Sequence, residues 1–481
     1  MNSESKEAEG GTPVTPENPM PFPEGAVKTR LGELTFENGY PSKPTVEKLF
    51  EEMDLQRVCQ AYLWALPIVD FAEWQRAHEK VFGAADGDLV IYNDYQSKLG
   101  ILTANATTPY IIAFADLART GPLVIDMPAG GTAGAINDFW QRPVTDLGLA
   151  GPDQGKGGKY LVIAPNDEDP KAEGYRVVRS TTNNVLFGFR ILTTDKDEGK
   201  ALLDRFHAYS YSKRDNPPAT KQLTTQGRPW SGTPRRGLGY WERLHAILQR
   251  EPVAERDRFF MAMLKPLGIE KGKPFQPNDR QKKVLTEGAL VGEALAKAND
   301  FEKRFQAPLW ERRRWDLALC LDPSQRMETY EQLDERAAWF YEAVTTSKGM
   351  VTKTPGLGQV YLGAHKDNEG DWLDGGKNYL LRVPPNAPVK QFWSFTVYDN
   401  DTRCLIDNPE KKADLSSRQE LQKNEDGSVD LYFGPNPPTG KEKNWVQTLP
   451  GRGWFTYFRL YAPTEAYFDK TWKLPDIEVV K

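Results

Sequence analysis

The segment YDNDTRCLIDN, from Tyr398 to Asn408, gathers the densest set of chemically able side chains in the chain. Asp399, Asp401 and Asp407 can serve as general acid or base, Tyr398 can donate a proton or a hydrogen bond, and the planar fork of Arg403 can hold an anionic group. Asp399 or Asp401 with Tyr398 is therefore the expected catalytic set, with Arg403 as substrate anchor. A second group is Asn105, Thr107, Thr108 and Tyr110 in NATTPY, followed by Asp138, Trp140 and Arg142 in INDFWQRP. Hydroxyls, an amide, an indole and a guanidinium at strand ends suit a pocket for a polar organic molecule, because rings stack and donors fix orientation. Asn105, Thr107, Tyr110, Trp140 and Arg142 are the expected binding residues. Both groups also read as plain β-loops, in which Asx side chains bond the backbone and arginine pairs with a carboxylate.

Other candidates carry less. AHKDNEGDWLDGG holds Asp367, Glu369, Asp371 and Asp374 as oxygen ligands, but without EF-hand spacing it reads as a solvated hairpin loop. His365 reads as a surface or turn histidine. The four histidines show neither HxH nor HExxH spacing, and Cys59, Cys320 and Cys404 form no CxxC pair, so no metal and no cofactor is expected. One disulfide stays open. A GxSxG elbow and a P-loop are both missing, and QGRPWSGTPRRGLGYW lacks the strand-turn-helix context of a dinucleotide loop.

The elements that must position these residues follow from hydrophobic period. TVEKLFEEMDLQRVCQAYLWALP predicts a helix capped by Thr45 and stopped at Pro67. Short apolar or alternating runs over 90–195, separated by PAGGTAG and DQGKGGK, have the rhythm of antiparallel sheet. Between 196 and 350 the helical period returns, with stripes at Val284, Gly288, Val291, Leu295 and Ala298 and at Tyr330, Leu333, Ala337, Phe340 and Val344. Strands reappear from 359. QFWSFTVYD puts Trp393, Phe395 and Val397 on one face and Phe392, Ser394, Thr396 and Tyr398 on the other. GWFTYFRLY separates Trp454, Thr456, Phe458 and Leu460 from Phe455, Tyr457, Arg459 and Tyr461. Each strand thus has a greasier face for a core and an aromatic-polar face for a ligand or a second domain.

A chain of 481 residues with 22 Phe, 19 Tyr and 13 Trp can build a sizeable core, and a net charge of −5 offers no broad basic surface for nucleic acid. No apolar run reaches the length of a membrane span, and the N-terminus shows no basic patch before an apolar stretch. Cytoplasm and periplasm are both compatible. Residues 1–40 are expected to be a flexible tail, since their first thirty positions are poor in aliphatics and rich in Glu, Pro, Gly and Ser.

AYLWALP (61–67), NATTPY (105–110), GPLVIDMPAG (121–130) and RSTTNNVLFGFRIL (179–192) resemble the bacterial domain of unknown function 1254. The run HKDNEGDWLDGGKNYLLRVPPNAPVKQFWSFTVYDNDTRCLIDNP (365–409), with GWFTYFRLYAP, resembles domain of unknown function 1214. The resemblance implies an α+β, multi-domain fold: an N-terminal β-rich domain over 41–195, a helical connection over 196–350, and a C-terminal domain over 351–481. Both β domains are expected to be antiparallel and sandwich-like, in a family whose members are often exported. It brings no reaction and no cofactor. Many relatives read NNDTLY where this chain has NATTPY, so an acid is lost and Pro109 precedes the tyrosine. The functional expectation is a hydrolase or lyase acting on a small polar or aromatic compound in a cleft between the β domains. The alternatives are an envelope-associated protein that binds carbohydrate or protein, and a homo-oligomer packed through the aromatic-polar faces.

Overall fold

The chain is represented by a computed structural model that describes residues 24–480. It divides into a unit ending at Gln56 and a second beginning at Arg57. Part of the expected tail, residues 1–23, lies outside the described residues. From 24 to 40 the tail reading is corrected, because Gly25–Thr29, Gly32–Glu37 and Tyr40–Pro41 pair as a three-stranded antiparallel sheet. Local turn chemistry explains this: the Thr29 hydroxyl donates to the Gly32 carbonyl and accepts from the Leu31 amide, closing the hairpin without a large apolar run.

In the second unit, a six-stranded sheet has the order Gln222–Thr224, Leu89–Tyr92, Tyr110–Asp116, Asn184–Ile191, Thr132–Asp138, Pro143–Gly148. A four-stranded sheet has the order Tyr175–Arg179, Gly158–Ile163, Leu123–Met127, His207–Ser210. Strand alternation divides the six-stranded sheet between two cores. Ile111, Ala113 and Ala115 join Leu123, Ile125, Tyr160 and Val162 in one apolar cluster, while Ile112, Phe114 and Leu186 join Phe71 and Trp74 of the helix Lys43–Ala77 in the other.

Toward the C-terminus lie a five-stranded sheet, Asp316–Leu317, Gln359–Ala364, Trp454–Tyr461, Trp393–Asp399, Asp414–Ser416, and a four-stranded one, Trp445–Gln447, Val429–Gly434, Asn378–Val383, Glu478–Val480. The greasy face predicted for Trp393–Asp399 meets the four-stranded sheet, with Phe395 stacked on Phe433. The result is a mixed α/β, multi-domain fold with several sheets.

Three expectations change. The sheets are not wholly antiparallel: Gly158–Ile163 with Tyr175–Arg179, Leu89–Tyr92 with Gln222–Thr224, and Val429–Gly434 with Trp445–Gln447 are parallel pairs. Each second strand follows a connection long enough to return the chain to the same end. The stretch 196–350 is not helical throughout, since His207–Ser210 and Gln222–Thr224 belong to the N-terminal sheets. Finally, Pro67 does not end its helix. The helix continues to Ala77, and from Val58 onward most of its side chains are buried, so packing on all sides outweighs the lost N–H bond.

The helix Asp279–Phe301 forms where its period predicts, but its buried positions are Leu285, Gly288, Ala289, Gly292, Ala296 and Asp300. Leu295 is exposed. A Cβ at Gly288 would lie 2.0 Å from Val58, and one at Gly292 2.6 Å from Tyr62. Glycine therefore lets two helices approach closely, and the small residues rather than the aliphatics mark the inner face.

Candidate functional site

A cavity of about 540 Å³ is lined from both β regions, and Tyr110, Arg190, Tyr361, Tyr457, Arg459 and Tyr461 give it its character. Arg190 sits on Asn184–Ile191, and its guanidinium lies over the Tyr110 ring at 4.5 Å while donating to that phenol oxygen at 3.1 Å. Arg459 lies opposite Tyr361 in the pairing of Trp454–Tyr461 with Gln359–Ala364. It is buried, donates to the Thr396 hydroxyl at 3.1 Å and to the Thr103 carbonyl at 2.8 Å, and stands 5.1 Å from the centre of the Tyr457 ring. Among the described residues no carboxylate lies within 4 Å of either guanidinium, and the two stand close enough for their charges to repel. Burial pushes the Tyr461 phenol above its ordinary pKa, while Arg459 and Arg190 pull it back. Asp146 is the one carboxyl among the lining residues. It accepts backbone N–H bonds from Lys348 at 3.3 Å and Gly349 at 3.0 Å, and burial raises its pKa despite them.

Of the residues expected from sequence, Thr108 and Tyr110 line this cavity. Asn105 organises the rim: its carbonyl oxygen accepts the Thr107 and Thr108 amides, and its amide nitrogen donates to the Tyr461 hydroxyl. Thr107 turns to Asp414 at 3.0 Å. Trp140 is buried elsewhere, under the guanidinium groups of Arg256 and Arg336 at 5.4 and 5.2 Å. Arg142 closes on Asp138 and the Thr181 hydroxyl.

The Tyr398–Asn408 segment meets the Asn105 loop through the backbone, yet Asp399, Asp401 and Arg403 are not among the cavity's lining residues. The Tyr398 hydroxyl donates to the Ala104 carbonyl at 2.8 Å, and the Thr103 amide donates to the Arg403 carbonyl at 2.8 Å. Asp399 accepts the Asp401 and Thr402 amides with one oxygen and pairs with Arg452 at 2.8 Å through the other. Asp401 is exposed and pairs with Arg236 at 2.7 Å, the contact that chiefly lowers its pKa. Arg403 is buried, stacks over Tyr341 at 4.4 Å, lies 3.5 Å from Glu293 and donates to the Asp401 carbonyl at 3.1 Å.

In the acidic loop, one oxygen of buried Asp367 accepts the amides of Glu369, Gly370 and Asp371, the hydrogen bonding of a turn. The surface reading of His365 is corrected: it is buried between the rings of Phe301 and Phe455, at 4.2 and 5.2 Å. No disulfide joins any two of the three cysteines.

Sequence reasoning missed Arg190 and Arg459 as site residues. The signal was present, because each is a charged residue within an otherwise apolar or aromatic strand, and Arg459 shares its face with Tyr457 and Tyr461.

Residues 89–210 match the family described as Protein of unknown function (DUF1254), and residues 358–465 match Protein of unknown function (DUF1214). No curated protein matches the chain. The crystal structure of the VPA0106 protein from Vibrio parahaemolyticus aligns with a TM-score of 0.54 at 19% identity, covering 89% of this chain and 100% of that one, a likeness of fold. The crystal structure of an uncharacterized Burkholderia cenocepacia protein aligns with a TM-score of 0.42 at 12% identity, over 91% of this chain and 97% of that one. Among the described residues no helix is long and apolar enough to cross a membrane. Along the chain the segment similar to DUF1254 precedes the segment similar to DUF1214.

Proposed function

We propose that the protein binds a small organic anion, aromatic or otherwise flat, in the cavity lined by Arg190 and Arg459, as the substrate of a hydrolase or lyase. The observation that carries this is the pair of arginines facing one cavity with no carboxylate partner among the described residues. Two guanidinium charges drawn together among phenol rings are stabilised by an anion that accepts from both, and the rings supply stacking surface. The acid-base work falls to Asp146, whose raised pKa suits a proton donor, rather than to Asp399 or Asp401, which are occupied in their own loop. A neutral carbohydrate leaves the guanidinium charges without a counter-ion, which disfavours the carbohydrate-binding alternative. Each pair of larger sheets is read as sandwich-like, supported in the N-terminal region by the apolar cluster drawn from both sheets.

The test is thermal stability with matched pairs of small aromatic carboxylates and their amides. Carboxylates are expected to raise Tm where amides do not, and Arg190→Gln is expected to abolish the increment. Equal shifts from both members of each pair sink the reading, as does an increment that survives Arg190→Gln.

A further inference from the structure

A second group of buried polar side chains lies where the helical segments meet the C-terminal domain. Asp300 is in the last turn of Asp279–Phe301, Glu342 ends the helix Leu333–Glu342, and His365 follows the strand Gln359–Ala364. All three are at least nine-tenths buried, and one donor atom from each lies within 4.8 Å of the others. His365 Nε2 is 3.4 Å from Glu342 Oε2. Among the described residues, Asp300 Oδ2, Glu342 Oε2 and both imidazole nitrogens meet no hydrogen-bond partner unless the two carboxyls share a proton, although the remaining carboxylate oxygens are satisfied. Lys303 donates to Asp300 Oδ1 at 3.0 Å and the Tyr457 hydroxyl donates to Glu342 Oε1. The cluster's neighbours therefore point the unpartnered oxygens at one another and at the imidazole.

Lone pairs facing one another in a dry interior are unfavourable unless a proton or a cation stands between them. The carboxyls of Asp300, Glu342 and nearby Asp316 face the ammonium of Lys303, and the Arg403 guanidinium also acts on Glu342. We propose that Asp300, Glu342 and His365 bind a first-row divalent metal ion of the zinc or manganese type. A mixed set of two carboxylates and one imidazole suits these ions, whereas magnesium and calcium favour oxygen alone. Lys303 and Tyr457 orient the two carboxylates from behind, as outer-shell partners of a metal centre do. Tyr457 also lines the arginine cavity, so one side chain touches both the Glu342 carboxyl and that cavity. The ion ties together three segments distant in sequence.

The test uses the full chain produced in medium supplemented with zinc and manganese, with metal content measured by elemental analysis. The chelator-treated protein is then titrated with zinc, manganese or magnesium chloride while Tm is followed. One equivalent of zinc or manganese per chain is expected, with Tm restored by that ion and not by magnesium. Glu342→Gln and His365→Asn should each lower the bound metal at least tenfold, while Asp371→Asn, in the exposed acidic loop, should leave it unchanged. Because the buried variants can fail to fold, X-ray absorption at the bound ion in the wild type gives an independent reading: one imidazole and oxygen donors are expected. A wild-type chain that takes up neither ion overturns the proposal, as does metal undiminished in both folded variants or an absorption spectrum without imidazole. In those outcomes the two carboxylates share a proton instead.

Discussion

The Tyr398–Asn408 loop and the arginine cavity are built from the same residue types and differ in how their charges are answered. In the loop, Asp399 is held by Arg452, Asp401 by Arg236, and Arg403 by Glu293 and the Tyr341 ring. In the cavity, Arg190 and Arg459 meet phenols, a hydroxyl and a carbonyl, but no carboxylate among the described residues. A region whose charges are paired internally spends them on holding a turn, whereas one left with a net charge facing open volume has attraction to spare for a ligand. Polar density along the sequence does not separate the two cases.

The largest effect expected from this contrast is at Arg403. Arg403→Ala should cost about 3–5 kcal/mol in urea unfolding, because it empties a buried site packed on the Tyr341 ring and removes the bond to the Asp401 carbonyl, while Glu293 keeps Arg236. The same variant should leave carboxylate-induced Tm shifts proportionally intact. A stable Arg403→Ala protein that has lost those shifts would move the ligand site to the loop and break the comparison.

A smaller effect, on the order of 3 kcal/mol, is expected from acid through His78. This imidazole is buried, makes a 2.8 Å hydrogen bond with the Tyr92 hydroxyl, and is pushed down by burial from 6.5 to about 3. Below pH 6.5 the unfolded chain takes up the proton that the folded chain refuses, so stability is lost as pH falls from about 6.5 toward 4. Urea midpoints of wild type and His78→Gln across this range check the sign, and the variant should show the shallower decline. Parallel slopes would show that the buried carboxylates, not this imidazole, set the acid limit.

The smallest effect belongs to Asp401. Its pair with Arg236 is exposed, so Asp401→Asn should change stability by less than about 1 kcal/mol and leave ligand-induced shifts alone. A large loss of ligand response here would return the catalytic role to the loop and sharpen the contrast in the opposite direction.

The two faces of Trp393–Asp399 and of Trp454–Tyr461 were legible by alternation, because a strand places neighbouring side chains on opposite sides whatever surrounds it. The place of Thr108 and Tyr110, where a loop enters the buried strand Tyr110–Asp116, follows from the apolar run that comes after them. The two arginines were visible as residues but not as a pair: Arg190 and Arg459 lie in segments that match two different family models, and only the packing of the sheets brings them together. The inner face of Asp279–Phe301 was misread because hydrophobicity ranks leucine above glycine, while close helix approach selects glycine.

Sequence by itself determined what is local: turn-forming stretches, strand alternation, helical period, and the order of the two family domains. These depend on backbone geometry and on neighbours a few residues away. Tertiary structure alone decided that Pro67 lies inside a helix, that His365 is buried beside Asp300 and Glu342, and that Asp399 is paired while Arg190 has no carboxylate partner among the described residues. Those outcomes depend on burial and on charges brought from distant segments, and electrostatic energy is set by separation in space, to which separation along the chain is no guide.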